Sequence, residues 1–348
     1  MILSVLDQSP IRKGGTASQA LRETIALAQA CERWGYHRYW LSEHHNTGGL
    51  ASATPEVLIA EIANRTERIR VGSGGVMLSH YSPLKVAETF RMLETLHPGR
   101  IDLGIGRAPG SDTRTARALA HGPGQLGIEH YPDQMLDLYG YLAGDMPAEH
   151  PFHGVQAIPT GEGMPELWTL GSSGASAQYA AELGWAFCFA HFINPDGGER
   201  AMQLYRDRFQ ASPFLAEPRG SIGLSVTVAD THEEAEHISW SRWGWRIMAQ
   251  KGQRSGIPSP EEAIAFDYTP AEIDYLAYAR SRSIFGSPYE VRDRVEEIAA
   301  EYGVEEVVVV TITHDFKARL RSYELLAEVF EVAPIMAASA VAGSPAGA

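Results

Sequence analysis

The chain has 348 residues, of which 44% are hydrophobic and 21% charged, a composition typical of folded globular proteins and unlike that of fibrous or disordered chains. Its formal net charge of -14 at pH 7 opposes binding to nucleic acid and to anionic membranes, because most of the surface would meet like charge. No apolar run approaches the roughly 20 residues of a membrane-spanning helix, and the first residues lack the order of a secretory signal. The sequence therefore predicts small-molecule or protein partners.

The two cysteines, Cys31 and Cys188, lie in apolar surroundings within a predicted helix and a predicted strand. A thiol in such a position behaves as a small hydrophobic group and has no need of a disulfide partner. This usage predicts free thiols and a reducing, cytoplasmic location.

Short β-branched or aromatic runs alternate with longer amphipathic stretches along the chain, which is typical of βα units and a parallel sheet. The runs predict eight strands, at residues 2–6, 37–43, 69–77, 100–106, 166–171, 185–191, 221–229 and 306–313. The stretches between them have the 3.6-residue period of helices, and residues 55–67 and 83–96 are the second and third of these. Such a series closes most simply into a single (β/α)8 TIM barrel, although a doubly wound open sheet has the same local pattern.

Two connections are longer than is usual in a compact domain. They are residues 108–164 after the fourth strand, with a predicted helix at 131–143, and residues 252–283 after the seventh unit. Long connections of this kind tend to be functional. We predict a barrel domain over residues 1–332, and a flexible tail over residues 333–348, which are mostly small, uncharged and aperiodic.

A glycine and serine turn after the fifth strand is a candidate anion site. Ser172, Ser173 and Gly174 lead directly into a helical pattern, so free backbone N–H groups and two hydroxyls would face outward at a helix N-terminus. Arg107, at the end of the fourth strand, could pair with a phosphate through two parallel hydrogen bonds. Taken singly, the two features are equally compatible with an ordinary serine helix cap and a surface arginine.

The third strand ends in Ser73, Gly74 and Gly75, beside the expected pocket of a barrel. Glycine adopts backbone shapes that other residues resist, and it lets a ligand approach the backbone closely. The alternative is a plain turn. We include all three residues in the predicted binding site.

His44 and His45 follow the second strand. Because adjacent strand residues point to opposite faces, the two rings cannot easily bind one metal ion, and no metal site is predicted. A histidine at a barrel mouth with a pKa near neutrality suits a general base or hydrogen-bond donor, so His44 is the predicted catalytic residue and His45 a structural one. With so few reactive groups of the protein's own nearby, a phosphate site indicates that a phosphorylated cofactor performs the difficult step.

Five segments, in order along the chain, resemble the bacterial-luciferase-like superfamily of flavin-dependent oxidoreductases. They are YWLSEHH at 39–45, RVGSGGVML at 70–78, HPGRIDLGIGRAPG at 97–110, ELWTLGSSGASAQYAAELG at 166–184 and FGSPYEVRDRV at 285–295. The resemblance runs from residue 1 to about residue 332 and implies a (β/α)8 barrel that holds FMN at the C-terminal ends of its strands.

The resemblance also implies roles for the candidate residues. Gly74 and Gly75 would form a cis peptide under the flavin ring, Arg107 and residues 172–174 would bind the FMN phosphate, and His44 would be the catalytic histidine. The implied activity is that of a monooxygenase, in which reduced FMN and O2 give a flavin hydroperoxide that oxygenates a small organic substrate in a dry pocket. Because the barrel occupies the whole chain, a separate flavin reductase would supply the reduced FMN.

Three further properties follow from the resemblance. The protein would be a homodimer that pairs through the helices at 55–67 and 83–96, and residues 252–283 would form a mobile lid. Gly106 stands where light-emitting members have a cysteine, which argues against light emission.

Two alternatives remain open at this point. One is a deazaflavin-dependent hydride-transfer oxidoreductase on the same fold, and the other is a flavin-binding protein without catalytic turnover. The sequence does not identify the substrate, whose pocket we expect to include Trp40, Phe189, His191 and the 108–164 segment.

Overall fold

The computed structural model describes residues 1–107, 110–120, 127–161 and 163–333. The predicted tail therefore lies outside the described residues, apart from residue 333. The described residues form nine strands: β1 (Ile2–Asp7), β2 (Arg38–Leu41), β3 (Arg70–Met77), β4 (Ile101–Gly106), β5 (Glu166–Gly171), β6 (Ala186–Phe189), β7 (Gly220–Val228), β8 (Ile284–Gly286) and β9 (Glu306–Val310).

Helices follow most of these strands and cover the outside of the sheet. The described helices are α1 (Ala17–Trp34), α2 (Pro55–Arg65), α3 (Pro83–Leu96), α4 (Thr113–Leu119), α5 (Tyr131–Ala143), α6 (Gly174–Leu183), α7 (Gly198–Arg208), α8 (His232–Gln250), α9 (Pro260–Ile264), α10 (Pro270–Ser281), α11 (Pro288–Tyr302) and α12 (Phe316–Val329). None of the helices in this described part is long and apolar enough to span a membrane.

Eight of the strands close into a parallel barrel. Neighbours pair in the order β1, β2, β3, β4, β5, β6, β7 and β9, and β9 returns to pair with β1. These are the eight predicted strands, so the predicted (β/α)8 barrel is confirmed. The open-sheet alternative is wrong, because the β6–β7 and β1–β9 pairings leave no free edge.

The two predicted insertions occupy the expected places. The insertion after β4 contains α4 and α5, and the bounds of α5 are those of the helix predicted at 131–143. The insertion after β7, predicted at 252–283, follows α8 and contains α9 and α10, and the short strand β8, which the sequence did not predict, begins directly after it. β8 pairs with Val226–Val228, beyond the part of β7 that pairs with β9.

Charged side chains fill the barrel interior at the N-terminal ends of the strands. The buried Arg38 guanidinium lies 2.8 Å from Asp102, 2.6 Å from Glu306 and 3.1 Å from Glu166. Trp40 lies above these charged side chains and donates from Nε1 to Asp102 at 2.8 Å. With this end of the barrel filled, open space is left at the C-terminal ends of the strands, where the active sites of barrel enzymes lie.

Candidate active site

A cavity of about 750 Å3 opens at the C-terminal ends of the barrel strands. Its floor is formed by Leu6, Trp40 and Val308, and its walls come from the ends of β3, β4, β5 and β6. The size and the mainly apolar floor are typical of a site for a small molecule or cofactor. We call this space the barrel cavity.

One end of the barrel cavity is lined by the predicted anion-binding residues. Arg107 follows β4, and Ser172 and Ser173 precede α6 on the adjacent strand end. Ser173 is the N-cap residue of α6, but its side chain makes no capping hydrogen bond, so this hydroxyl and the helix N–H groups are available to a ligand. Gly174 is the first residue of α6 and is not among the cavity-lining residues.

Two further residues of α6 line the same end of the cavity and were missed by the sequence analysis. Ser176 and Tyr179 follow Ser173 at intervals of three residues, which places all three side chains on one helix face. This spacing was a usable signal. The residue before this turn, Gly171, has to be glycine, because a Cβ atom there would lie 2.1 Å from Oγ of Ser176.

Part of the wall of the barrel cavity is bare backbone, at Gly74 and Gly75. The peptide bond between Gly74 and Gly75 is cis, as the resemblance implied. A Cβ at Gly74 would lie 2.6 Å from Leu6 Cδ1, and one at Gly75 would lie 2.7 Å from the Gly104 carbonyl oxygen. The packing therefore requires glycine at both positions, and it leaves a smooth wall that a flat ring can approach.

Ser73 does not line the barrel cavity, contrary to its predicted place in the binding site. Its buried hydroxyl donates to the carbonyl of Gly104 at 2.8 Å and accepts from the N–H of the same residue at 3.1 Å. The reason is the alternation along β3, which turns adjacent side chains to different sides. Ser73 holds β3 against β4 and supports the glycine wall.

A second cavity of about 520 Å3 adjoins the first, and Phe192 and Ile193 line both. We call it the outer cavity. His44 and His45 line this outer cavity, not the barrel cavity. The expected alternation of the two rings does not hold, because β2 ends at Leu41 and the histidines lie in the loop beyond it.

His44 is held in its neutral form. Its Nδ1 lies 2.9 Å from Oγ of Ser42, and burial, together with the charge of His45, lowers the pKa of His44 to about 4. The pKa near neutrality expected from the sequence is therefore wrong, because the ring is shielded from water. A neutral imidazole suits hydrogen bonding to a reacting oxygen better than permanent positive charge.

Glu43 fastens the loop that carries these histidines. Its Oε1 lies 2.7 Å from His45 Nε2 and accepts from the Tyr81 hydroxyl at 2.7 Å, while Oε2 accepts from the N–H of Met77 at 2.9 Å. The buried carboxylate thus ties the end of β2 to the segment after β3. His45 is part of this support, in agreement with the structural role predicted for it.

Of the three residues proposed as substrate walls, Trp40 lines the barrel cavity, whereas Phe189 and His191 line neither the barrel cavity nor the outer cavity. Phe189 and His191 both pack against Tyr302, with ring centroids 5.8 and 5.9 Å apart, because β6 turns Cys188 and Ala190 inward instead. The pocket wall continues in Phe192.

Within the described ranges, no group of three or more His, Cys, Asp or Glu side chains is placed to hold a metal ion.

A closed barrel with a cavity at its strand ends, lined by a helix N-terminus and a glycine wall, has the architecture of a barrel enzyme. Residues 1–306 match the family model described as luciferase-like monooxygenase, and the chain belongs to this family. Monooxygenases are oxidoreductases, so the chain is an oxidoreductase, and the resemblance drawn from the five segments is confirmed.

Relatives match nearly the whole chain. The uncharacterized protein YceB of Bacillus subtilis (strain 168) is 44% identical over 94% of this chain and 99% of its own. The N-acetyl-S-alkylcysteine monooxygenase of the same organism is 36% identical over 94% of this chain and 97% of its own. Among solved structures, apo-MsnO8 is 39% identical, with a TM-score of 0.86 over 96% of this chain and 99% of that one.

Two more distant structures share the fold. The oxygenating constituent of 3,6-diketocamphane monooxygenase from Pseudomonas putida, in complex with FMN, has a TM-score of 0.71 at 19% identity, over 98% of this chain and 99% of that one. An F420-dependent secondary alcohol dehydrogenase has a TM-score of 0.69 at 13% identity, over 95% and 98%. The same fold therefore occurs in an FMN-binding enzyme and in a deazaflavin-dependent enzyme, so the fold alone does not determine the cofactor.

Proposed function

We propose that this protein is a monooxygenase that binds reduced FMN and uses O2 to oxygenate a small organic substrate, with reduced FMN supplied by a separate flavin reductase. The observation that carries the proposal is that two kinds of surface line one cavity. Arg107 and the serine-lined N-terminus of α6 line the same cavity as the backbone of Gly74 and Gly75. The free, buried thiols Cys31 and Cys188 support a reducing, cytoplasmic setting.

The residues present fit FMN. Arg107, Ser172, Ser173 and Ser176 would hold the phosphate, since a helix N-terminus with free hydroxyls and a guanidinium is a suitable site for a doubly charged anion. The wall at Gly74 and Gly75 would take the flat ring system, for which a side chain would leave no room. When bound, the reduced flavin supplies the electrons for the reaction with O2.

The remaining residues of the site orient the reactants and exclude water. Ser42 can donate to Nδ1 of His44, which leaves the proton on Nε2 of the neutral ring, available to an oxygen atom in the outer cavity. Leu6, Val308 and Phe192 give the barrel cavity an apolar lining. Such a lining would exclude water and so protect reactive intermediates from hydrolysis.

The proposal is tested by mixing the purified protein with reduced FMN without oxygen and then admitting O2. We expect slower flavin reoxidation than in free solution, followed, when a substrate is present, by a product that carries one atom from labelled O2. Reoxidation at the rate of free flavin, together with tight binding of a reduced deazaflavin, would overturn the proposal in favour of hydride transfer.

We also propose that the protein forms a homodimer through α2 and α3. These helices expose three large apolar side chains, with Val57 63%, Met92 51% and Leu96 61% accessible. Val57 and Leu96 line one shallow groove together with Leu58. An apolar surface of this kind on neighbouring helices is characteristic of an interface between copies of a protein.

A further inference from the structure

Two arginines in the outer cavity carry charge that the described protein does not neutralise. Arg242 and Arg246 lie one turn apart on α8, and both line the cavity. Arg242 donates to the hydroxyl of Ser225, and among the described residues no carboxylate pairs with either guanidinium. Burial and the adjacent Arg246 charge lower the pKa of Arg242 to about 10, so Arg242 remains cationic at neutral pH.

The other charged groups of the outer cavity do not offset this pair. Asp112 is the one carboxylate among the described lining residues, and it accepts from the N–H of Thr115 at 2.9 Å and lies 3.5 Å from Arg254. Arg254 also donates to Asn46 at 2.8 Å. Asp112 and Arg254 therefore neutralise each other in the segments that frame the cavity entrance.

The histidines add no negative charge. His44 is neutral, and His45 is bound to the buried Glu43, which also holds Tyr81 and Met77. The cavity thus has an excess of two positive charges on one helix. Placing like charges together away from water is costly unless an anion joins them.

The remaining wall is apolar and leads towards the cofactor site. Trp245 lies on α8 between the two arginines in sequence, and Ile312 and Leu50 add apolar surface. Phe192 and Ile193 line both this cavity and the barrel cavity. A ligand held by an anionic group on α8 would therefore extend its apolar part along this wall, towards the proposed flavin.

We propose that Arg242 and Arg246 bind the carboxylate of the substrate, and that the substrate class is organic carboxylates with an apolar portion that reaches the flavin. The proposal rests on the proposed function only in treating the outer cavity as the substrate pocket. A planar guanidinium suits a carboxylate because it can donate two parallel hydrogen bonds.

The test compares carboxylates with their neutral amides. Phenylacetate, 3-phenylpropionate and hexanoate, and the three matching amides, are titrated by calorimetry into the oxidised FMN-loaded protein at equal ionic strength. We expect the carboxylates to bind in preference to their amides. Arg242→Met and Arg246→Met, which keep the apolar stem, should each weaken carboxylate binding roughly tenfold to a hundredfold, as expected for loss of a charged hydrogen bond.

A matched control is Arg280→Met on α10, where the arginine is half-exposed and pairs with Glu236 at 2.6 Å, outside both cavities. This variant should bind carboxylates as the unaltered protein does. Equal affinity for carboxylates and amides, or the absence of binding by the whole panel, would overturn the proposal. So would unchanged carboxylate affinity in both cavity variants.

Two further measurements separate this proposal from neighbouring ones. If Arg242→Met weakens FMN binding as much as carboxylate binding, the pair holds the cofactor and the proposal is wrong. The ligand-free Arg242→Met protein should melt at a higher temperature, because an uncompensated charge has been removed, and a lower melting temperature would indicate a structural role instead. Neither measurement involves turnover, so a protein that binds carboxylates but fails the O2 experiment refutes only the monooxygenase proposal.

Discussion

Gly171→Ala is the sharpest single change for testing the architecture of the phosphate end. Gly171 is the last residue of β5, and a Cβ there would lie 2.1 Å from Oγ and 2.5 Å from Cβ of Ser176. Ser176 is 8% exposed and belongs to the first turn of α6, so it has little freedom to withdraw. Relief of the contact requires α6 to move away from β5.

The expected magnitude follows from that displacement. Adding a methyl group to a packed position costs about 1 to 3 kcal/mol, and we expect the free energy of unfolding in urea to fall by this amount. The first turn of α6 contains the proposed phosphate ligands, so FMN binding should weaken as well. Loss of about 1.5 to 3 kcal/mol of charged hydrogen bonding corresponds to roughly a tenfold to 150-fold higher Kd, measured by quenching of flavin fluorescence.

Two controls make the result interpretable. Gly161→Ala adds the same methyl group where no atom lies within 4 Å and should leave both quantities unchanged. Adding Ser176→Gly to Gly171→Ala removes both close atoms and should restore most of the lost stability. Unaltered stability and FMN affinity in Gly171→Ala, or a double variant no better than the single one, would refute the reasoning.

Three other changes test separate parts of the site and surface. Arg107→Ala should raise the Kd for FMN about tenfold to 150-fold but leave riboflavin, which has no phosphate, unaffected; equal losses for both in the same titration would contradict the phosphate assignment. His44→Asn should retain FMN but lower turnover roughly 100-fold. Because the folded-state pKa of His44 is about 4 and its unfolded value about 6.5, the unfolded state binds the proton more readily. Stability should therefore fall as pH drops from about 6.5 towards about 4, and His44→Asn should flatten that part of the urea-denaturation profile. Leu96→Asp should convert the proposed dimer into a monomer in sedimentation experiments, and an unchanged mass would place the interface elsewhere.

The barrel strands could be predicted because each is a run of buried residues long enough to be distinguished from the more polar sequence on either side. VVVV in β9, for example, is apolar on both faces, as a strand covered on both sides must be. β8 has three residues, too few for any periodicity to register. α9, with five residues, was hidden inside the second insertion for the same reason.

The site was predictable where topology alone determines it. The C-terminal ends of parallel strands lie at one rim, so Arg107 and Ser172 were expected to lie near one space, and both line the barrel cavity. The direction of each side chain was harder to predict from the sequence. Ser73 and Phe189 face other parts of the structure, because a shift of one residue along a strand turns the side chain to the other face. Arg242 was missed because an arginine on an amphipathic helix looks in sequence like a solvated charge.

Phe192 and Ile193 form a common wall between the two cavities, and this sharing has a thermodynamic consequence. A side chain that shifts to accommodate one occupant alters the surface offered to the other. Any factor by which a bound substrate changes the affinity for flavin must then be matched by an equal effect of flavin on the substrate. For a protein that receives its reduced flavin by diffusion, a substrate that strengthens flavin binding would thus lower the concentration of free reduced flavin needed to load the site.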